Sequence, residues 1–151
     1  MLIVDCVHQF AHQLDQAHLE SLASAVLAGE GITGAHELSL LITDDAGIRA
    51  INCQYRGIDA ATDVLSFSLL PDATRTFVGP PDGIVRLGDI VISFERVIAQ
   101  AAEMGHSARQ ELAELFVHGL LHILGYDHEE QDAATLMADK AERYMVQENG
   151  R

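Results

Sequence analysis

His118-Gly119-Leu120-Leu121-His122-Ile123-Leu124-Gly125-Tyr126-Asp127-His128 is the stretch whose reading decides this chain. Leu112, Leu115, Phe116 and Val117 lead into it, so the segment is apolar nearly all round, which marks a buried helix. His118 and His122 lie four residues apart and share one helix face, with β-carbons about 5–6 Å apart. Gly125 then offers a left-handed position that stops the helix and swings the chain back. That reversal is expected to return His128 to the open side of the pair. Three neutral imidazoles would meet at one point with a fourth position open, the donor set of a catalytic rather than a structural zinc site.

A histidine on an apolar helix is ordinarily a core residue with one hydrogen bond, and two at this spacing can coincide by chance. Buried imidazoles need partners, however, and one shared metal satisfies both. A third histidine just past a glycine turn tips the reading to one divalent ion at the end of a central buried helix. Zinc (Zn2+) suits the ligand type best, although Ni2+, Co2+ or copper also accept three imidazoles. The spacing His-x3-His-x5-His is that of metzincin peptidases as well. Those enzymes carry Glu directly after the first His as general base. Gly119 stands there instead, which disfavours a zinc metallopeptidase-like hydrolase and leaves it as an alternative.

The segment from His118 to His128 closely resembles the signature of the YbeY family, bacterial single-domain endoribonucleases of rRNA maturation. Residues 52–67 (NCQYRGIDAATDVLSF) and 87–93 (LGDIVIS) resemble that family too, in the same order and at similar spacing. The resemblance implies a metal-dependent, single-strand-specific endoribonuclease acting in 16S rRNA 3′ end maturation and ribosome quality control. Its partners would be rRNA precursor, the small ribosomal subunit and ribosome-assembly proteins.

The resemblance also implies a catalytic role for Arg56. Alone, an arginine after a helix is a surface charge or a partner for Asp59 or Asp63. A nuclease nevertheless needs a fixed cation where the phosphate gathers negative charge, and guanidinium offers a planar two-pronged donor. Asn52, Asp63, Ser66, Gly88 and Asp89 fall in the matching segments and are candidates to line the cleft. Asp63 could equally cap a strand turn, and Asp89 could hold backbone N–H groups. Asp127 is a candidate partner for a ligating imidazole N–H, or else a cap of the Gly125 turn. Glu114, one turn before His118, could reach the site or be a solvated helix charge. His106 reads as structural, and His8, His12 and His18 as surface residues. A non-catalytic ribosome-assembly factor with a structural metal is the alternative from another class. Three histidines without a fourth protein ligand speak against it.

The 151 residues fit one domain, 1–151, long enough to bury about 70% of the unfolded surface. A net charge of −14 is awkward for an RNA enzyme, because an acidic surface repels a polyanion. Six of the nine basic residues are arginines between Arg49 and Arg109, so a small arginine-lined cleft on an acidic body is expected. No run of eighteen apolar residues suggests a membrane span. Residues 1–5 lack the basic region of a signal peptide, and Cys6 and Cys53, far apart, read as reduced, buried thiols. A cytoplasmic address is the expectation.

In chain order, 2–8 reads as a strand and 15–28 as a helix ending at Gly29. Residues 36–43 form a strand with Leu38, Leu40 and Ile42 on one face, and Asp44 and Asp45 cap a helix to about Tyr55. Strands follow at 62–70 and 84–93, with Gly88 at a bulge or close approach and a polar loop, 71–81, near substrate. Ser93 caps a helix to Met104, and Ser107 with Gln110 makes a capping box for the signature helix. A polar amphipathic helix, 129–147, closes the chain. The order β-α-β-α-β-β-α-α-α predicts an α+β domain, a small mixed sheet of about four strands with helices packed over it.

Overall fold

Apolar residues two apart along residues 38–42 turn Leu38, Leu40 and Ile42 to one side, and all three are buried to 2% exposure or less. That strand is central to the architecture. The computed structural model describes residues 2–7, 10, 14–70, 83–126 and 139–145. The elements are β1 (Leu2–Cys6), α1 (Gln16–Gly29), β2 (His36–Thr43), α2 (Asp45–Arg56), β3 (Val64–Ser68), β4 (Val85–Ser93), α3 (Phe94–Met104) and α4 (Ala108–Ile123). Residues 139–145 add a short helical stretch, α5. The order expected from sequence is reproduced. Strands β1 and β3 are shorter than the spans 2–8 and 62–70, and the rest of the expected C-terminal helix, like the 71–81 loop, His8 and His12, lies outside the described residues.

The sheet order is β1-β2-β4-β3, with β1, β2 and β4 parallel and β3 antiparallel to β4 at the edge. One face, through Leu38, Leu40, Ile42, Ile90 and Ile92, packs under α1, α3, α4 and α5 in the main core. The other face carries α2, whose Ile48 meets Leu65 and Val91 in a smaller cluster. This is a mixed α+β fold with the signature helix α4 in the larger layer. Among the described residues, no helix is long and apolar enough to cross a membrane.

The helix starts follow local chemistry. Asp15 accepts from the His18 N–H at 3.2 Å and Asp44 from the Gly47 N–H at 2.7 Å, each occupying an otherwise orphaned donor. Ser107 accepts from the Gln110 N–H at 3.1 Å, but the Gln110 amide donates to Glu114 at 3.4 Å, so only one half of the expected capping box is seen. Ser93 precedes α3 without capping it. Its hydroxyl donates to Asp45 at 2.6 Å, while the Glu95 carboxylate accepts from the Asp45 N–H at 2.9 Å. The ends of α2 and α3 are thereby tied together by long-range bonds that no local pattern signals. Cys6 is half-buried, with burial raising its thiol pKa, whereas Cys53 is exposed rather than buried as expected.

Gly88 sits where β4 bulges, between the pairings Glu37↔Arg86 and Leu38↔Gly88. Its φ is +152°, and a β-carbon there would run into the Phe67 carbonyl oxygen and press on Ile123. Backbone cannot yield as a side-chain tip can. Gly88→Ala is expected to destabilise the protein by about 2–3 kcal/mol, measured as the shift of the urea midpoint. An unchanged midpoint would show that this contact is relaxed in solution.

Candidate functional site

Helix α4 is buried along nearly its whole length. From Glu111 to Ile123 every residue is buried except Glu114, His118 and His122, which are half-exposed. These three are spaced i, i+4, i+8 and therefore form one stripe along the helix. Both signature histidines thus lie on the one side of α4 that is not closed by the core. The Nδ1 atom of His122 is buried.

The helix stops as expected. The Gly125 N–H donates to the His122 carbonyl and the Tyr126 N–H to the Leu121 carbonyl, both at 3.1 Å, with φ +111° at Gly125. This pair of bonds is a Schellman closure. Asp127 and His128 lie outside the described residues. Gly119 explains itself by contact. A β-carbon there would stand 3.0 Å from Ile90 Cγ2, so this position faces β4 at close approach. A glutamate in its place would be driven into the sheet rather than toward the histidine stripe, which removes the structural basis of the peptidase alternative.

Arg56 ends α2, where a cation complements the helix C-terminus. Its Nη2 donates to the Ser66 carbonyl at 2.7 Å, and its guanidinium carbon lies 5.0 Å from the centre of the Phe67 ring. The Leu69 N–H bonds Leu87 and the Asp63 carbonyl bonds Ser93, so the alternate residues Ser66 and Ser68 turn their backbone groups to the open edge of β3. Arg56 therefore sits at the sheet's free edge. Helix α4 packs on that same strand, and the Ser68 hydroxyl donates to the Ile123 carbonyl at 3.0 Å.

Neither carboxylate expected to compete for Arg56 does so. Asp59 takes Arg49, at 2.7 and 3.2 Å, and this pairing holds the Asp59 carboxyl below its usual range. Asp63 accepts from the Val64 N–H at 2.7 Å and from Gln100 at 3.3 Å, which is the turn-capping role weighed for it. Among the described residues, three of the arginines are taken up by acids. Arg49, Arg96 and Arg109 pair with Asp59, Asp45 and Asp15 at separate junctions, and among the described arginines Arg56 is the one held by a carbonyl and a ring.

Asn52 is buried at 4% exposure, its amide donating to the Ala60 carbonyl at 2.9 Å, so it fixes the loop that follows Arg56. Asp89 is exposed on the α2 face, in a groove of about 560 Å³ that it shares with Tyr55 and Phe67. Glu114 belongs to a group that sequence reading missed. His106, Glu111 and Glu114 bring ligand atoms within 4.8 Å of one another and could hold a metal ion. His106 Nε2 already lies 2.7 Å from Glu111 Oε2, with both side chains largely enclosed. The available signal was a glutamate on the buried face of an apolar helix, five residues after a histidine.

The family described as Endoribonuclease YbeY matches residues 6–149. The chain belongs to the endoribonuclease YbeY family. A relative of that name from Roseiflexus sp. (strain RS-1) is 52% identical over 130 residues, covering 86% of this chain and 81% of the relative. One from Chloroflexus aurantiacus is 48% identical over 133 residues, covering 87% and 86%. The solution structure of TM1509 from Thermotoga maritima matches with a TM-score of 0.65 at 26% identity, over 99% of this chain and 90% of that one. The expected fold and the expected YbeY resemblance are both borne out.

Proposed function

We propose that this protein is a YbeY-type endoribonuclease that holds one divalent ion on His118, His122 and His128 and cleaves single-stranded RNA beside Arg56. The observation that carries the site assignment is the half-open stripe on α4. In an otherwise buried helix, the only side chains offered outward between Glu111 and Ile123 are Glu114, His118 and His122. Two imidazoles one turn apart fit a borderline-soft ion such as zinc, and they suit it better than magnesium or calcium, which prefer oxygen ligands. The His106–Glu111–Glu114 group is the competing location. There His106 and Glu111 already satisfy each other, so the fold has no need of an ion to neutralise them.

Bound at the stripe, a divalent ion would supply Lewis-acid polarisation of a phosphoryl oxygen or a nucleophile usable at neutral pH. The chain's own contribution is positional. Arg56, fixed by the Ser66 carbonyl and the Phe67 ring, presents a guanidinium at the β3 edge, where it can donate to phosphate oxygens that gain charge during cleavage. With most other described arginines paired to acids, free RNA is expected to bind weakly, and a larger assembly would position it. That fits the family-implied role in rRNA maturation and ribosome quality control, in the cytoplasm, on the small subunit and with ribosome-assembly proteins.

The test is cleavage of an rRNA precursor by purified protein, metal-stripped and then reloaded with Zn2+. Loss on stripping and recovery on reloading are expected. Undiminished processing by stripped protein that has lost its fold stability would favour the non-catalytic assembly-factor reading. A 2′,3′-cyclic phosphate on the product would assign the attack to the RNA's own 2′-hydroxyl rather than to water.

A further inference from the structure

Glu30 ends α1, where a carboxylate meets the negative pole of the helix and is out of place unless a cation reaches it. Lys140 of α5 does so. Its Nζ donates to both Glu30 oxygens, at 2.8 and 3.2 Å, and Tyr144 adds its hydroxyl to Oε2 at 3.0 Å. The Glu30 side chain is only 8% exposed in this pair. Burial alone would raise its pKa, but hydrogen bonds from Lys140, Tyr126 and Tyr144 hold the carboxyl below the usual range. Lys140 is in turn held charged, chiefly by its bond to Glu30.

The same ammonium lies 5.2 Å from the centre of the Tyr126 ring. Tyr126 is the residue whose N–H closes the end of α4 on Leu121, and its neighbour Gly125 closes on His122 itself. One lysine therefore joins three elements: the end of α1, helix α5, and the turn that terminates the histidine helix. A Schellman turn exposed to water frays readily, and fraying here would release the last turn of α4, which carries His122.

We infer that Glu30 and Lys140 act through Tyr126 as a positioning clamp on the last turn of α4, so that metal affinity at His118 and His122 depends on a salt bridge that touches neither histidine. The inference rests on the metal reading above. Groups that orient ligands from behind typically change metal affinity by about 10–100-fold when removed. Lys140→Met is expected to weaken Zn2+ binding by about tenfold in competition with a chromogenic chelator, well below the melting temperature. Tyr126→Leu, which leaves the Lys140–Glu30 pair in place and removes the ring together with its hydroxyl's bond to Glu30, is expected to weaken it similarly.

Tyr144→Phe is the control. It takes one hydroxyl from Glu30 without touching Tyr126, and should lower the melting temperature while leaving Zn2+ affinity within about twofold of wild type. Wild-type affinity in both Lys140→Met and Tyr126→Leu overturns the clamp. So does a loss in Tyr144→Phe as large as in Lys140→Met, because the effect would then follow general stability. A His118→Ala/His122→Ala double variant separates the two ideas. If it binds Zn2+ like wild type, the metal reading itself fails; if it does not bind while the clamp variants bind normally, only the clamp fails.

Discussion

His122→Ala should abolish stoichiometric zinc binding and reduce RNA cleavage by about a thousandfold, a loss of roughly 4 kcal/mol of transition-state stabilisation. Alanine is the best helix former, and His122 is on the half-open stripe rather than in the sealed core, so the variant should remain folded. The decisive comparison is with His106→Ala. That change breaks the 2.7 Å contact with Glu111 and leaves a largely enclosed carboxylate without its partner, so it should lower stability. It should leave zinc stoichiometry and zinc-dependent cleavage in place. The reverse pattern would move the functional ion to the other end of α4.

Arg56→Ala is expected to slow single-turnover cleavage by about 10²–10³-fold, the range found when one donor to a developing anion is removed. Its effect on stability should be small, since the side chain is exposed and is anchored by one carbonyl and one ring face. Zinc affinity should not change. Arg56→Lys is expected to recover only part of the rate, because an ammonium keeps the charge but loses the planar fork. A rate for Arg56→Ala within about threefold of wild type would remove the phosphate role from this residue.

Much of this was legible in the residues because the relevant signals are local. The alternation in 38–42 gave a strand with matching boundaries, His36–Thr43, and Asp15, Asp44 and Ser107 each cap the helix they precede. The stop at Gly125 follows from its need for a positive φ, and the histidine pair follows from helical spacing. What was not legible is long-range. Nothing around Ser93 reveals that its hydroxyl will turn to Asp45, forty-eight positions away, instead of capping α3. That neither Asp59 nor Asp63 pairs with Arg56 depended on Arg49 capturing Asp59 and on Val64 and Gln100 occupying Asp63. The acid partners of Arg49, Arg96 and Arg109 were hidden for the same reason, since clustering along the chain says nothing about which acid each arginine will meet.

Gly119 illustrates a reading that was correct but incomplete. The absence of a peptidase base could be read from sequence, whereas its cause, the approach of α4 to Ile90, needed the packed helix and sheet. Lys140 is the opposite case. It is the only lysine in the chain, yet its two partners, Glu30 and Tyr126, are brought together only by the tertiary fold.

The most direct test is a crystal structure of the zinc-loaded protein with the ion located by its anomalous signal. One ion bound by nitrogens of His118, His122 and His128 at about 2.0–2.1 Å, with no protein atom in the fourth position, is the predicted result. An ion seated instead on His106, Glu111 and Glu114, with the rings of His118 and His122 directed away from it, would contradict the account.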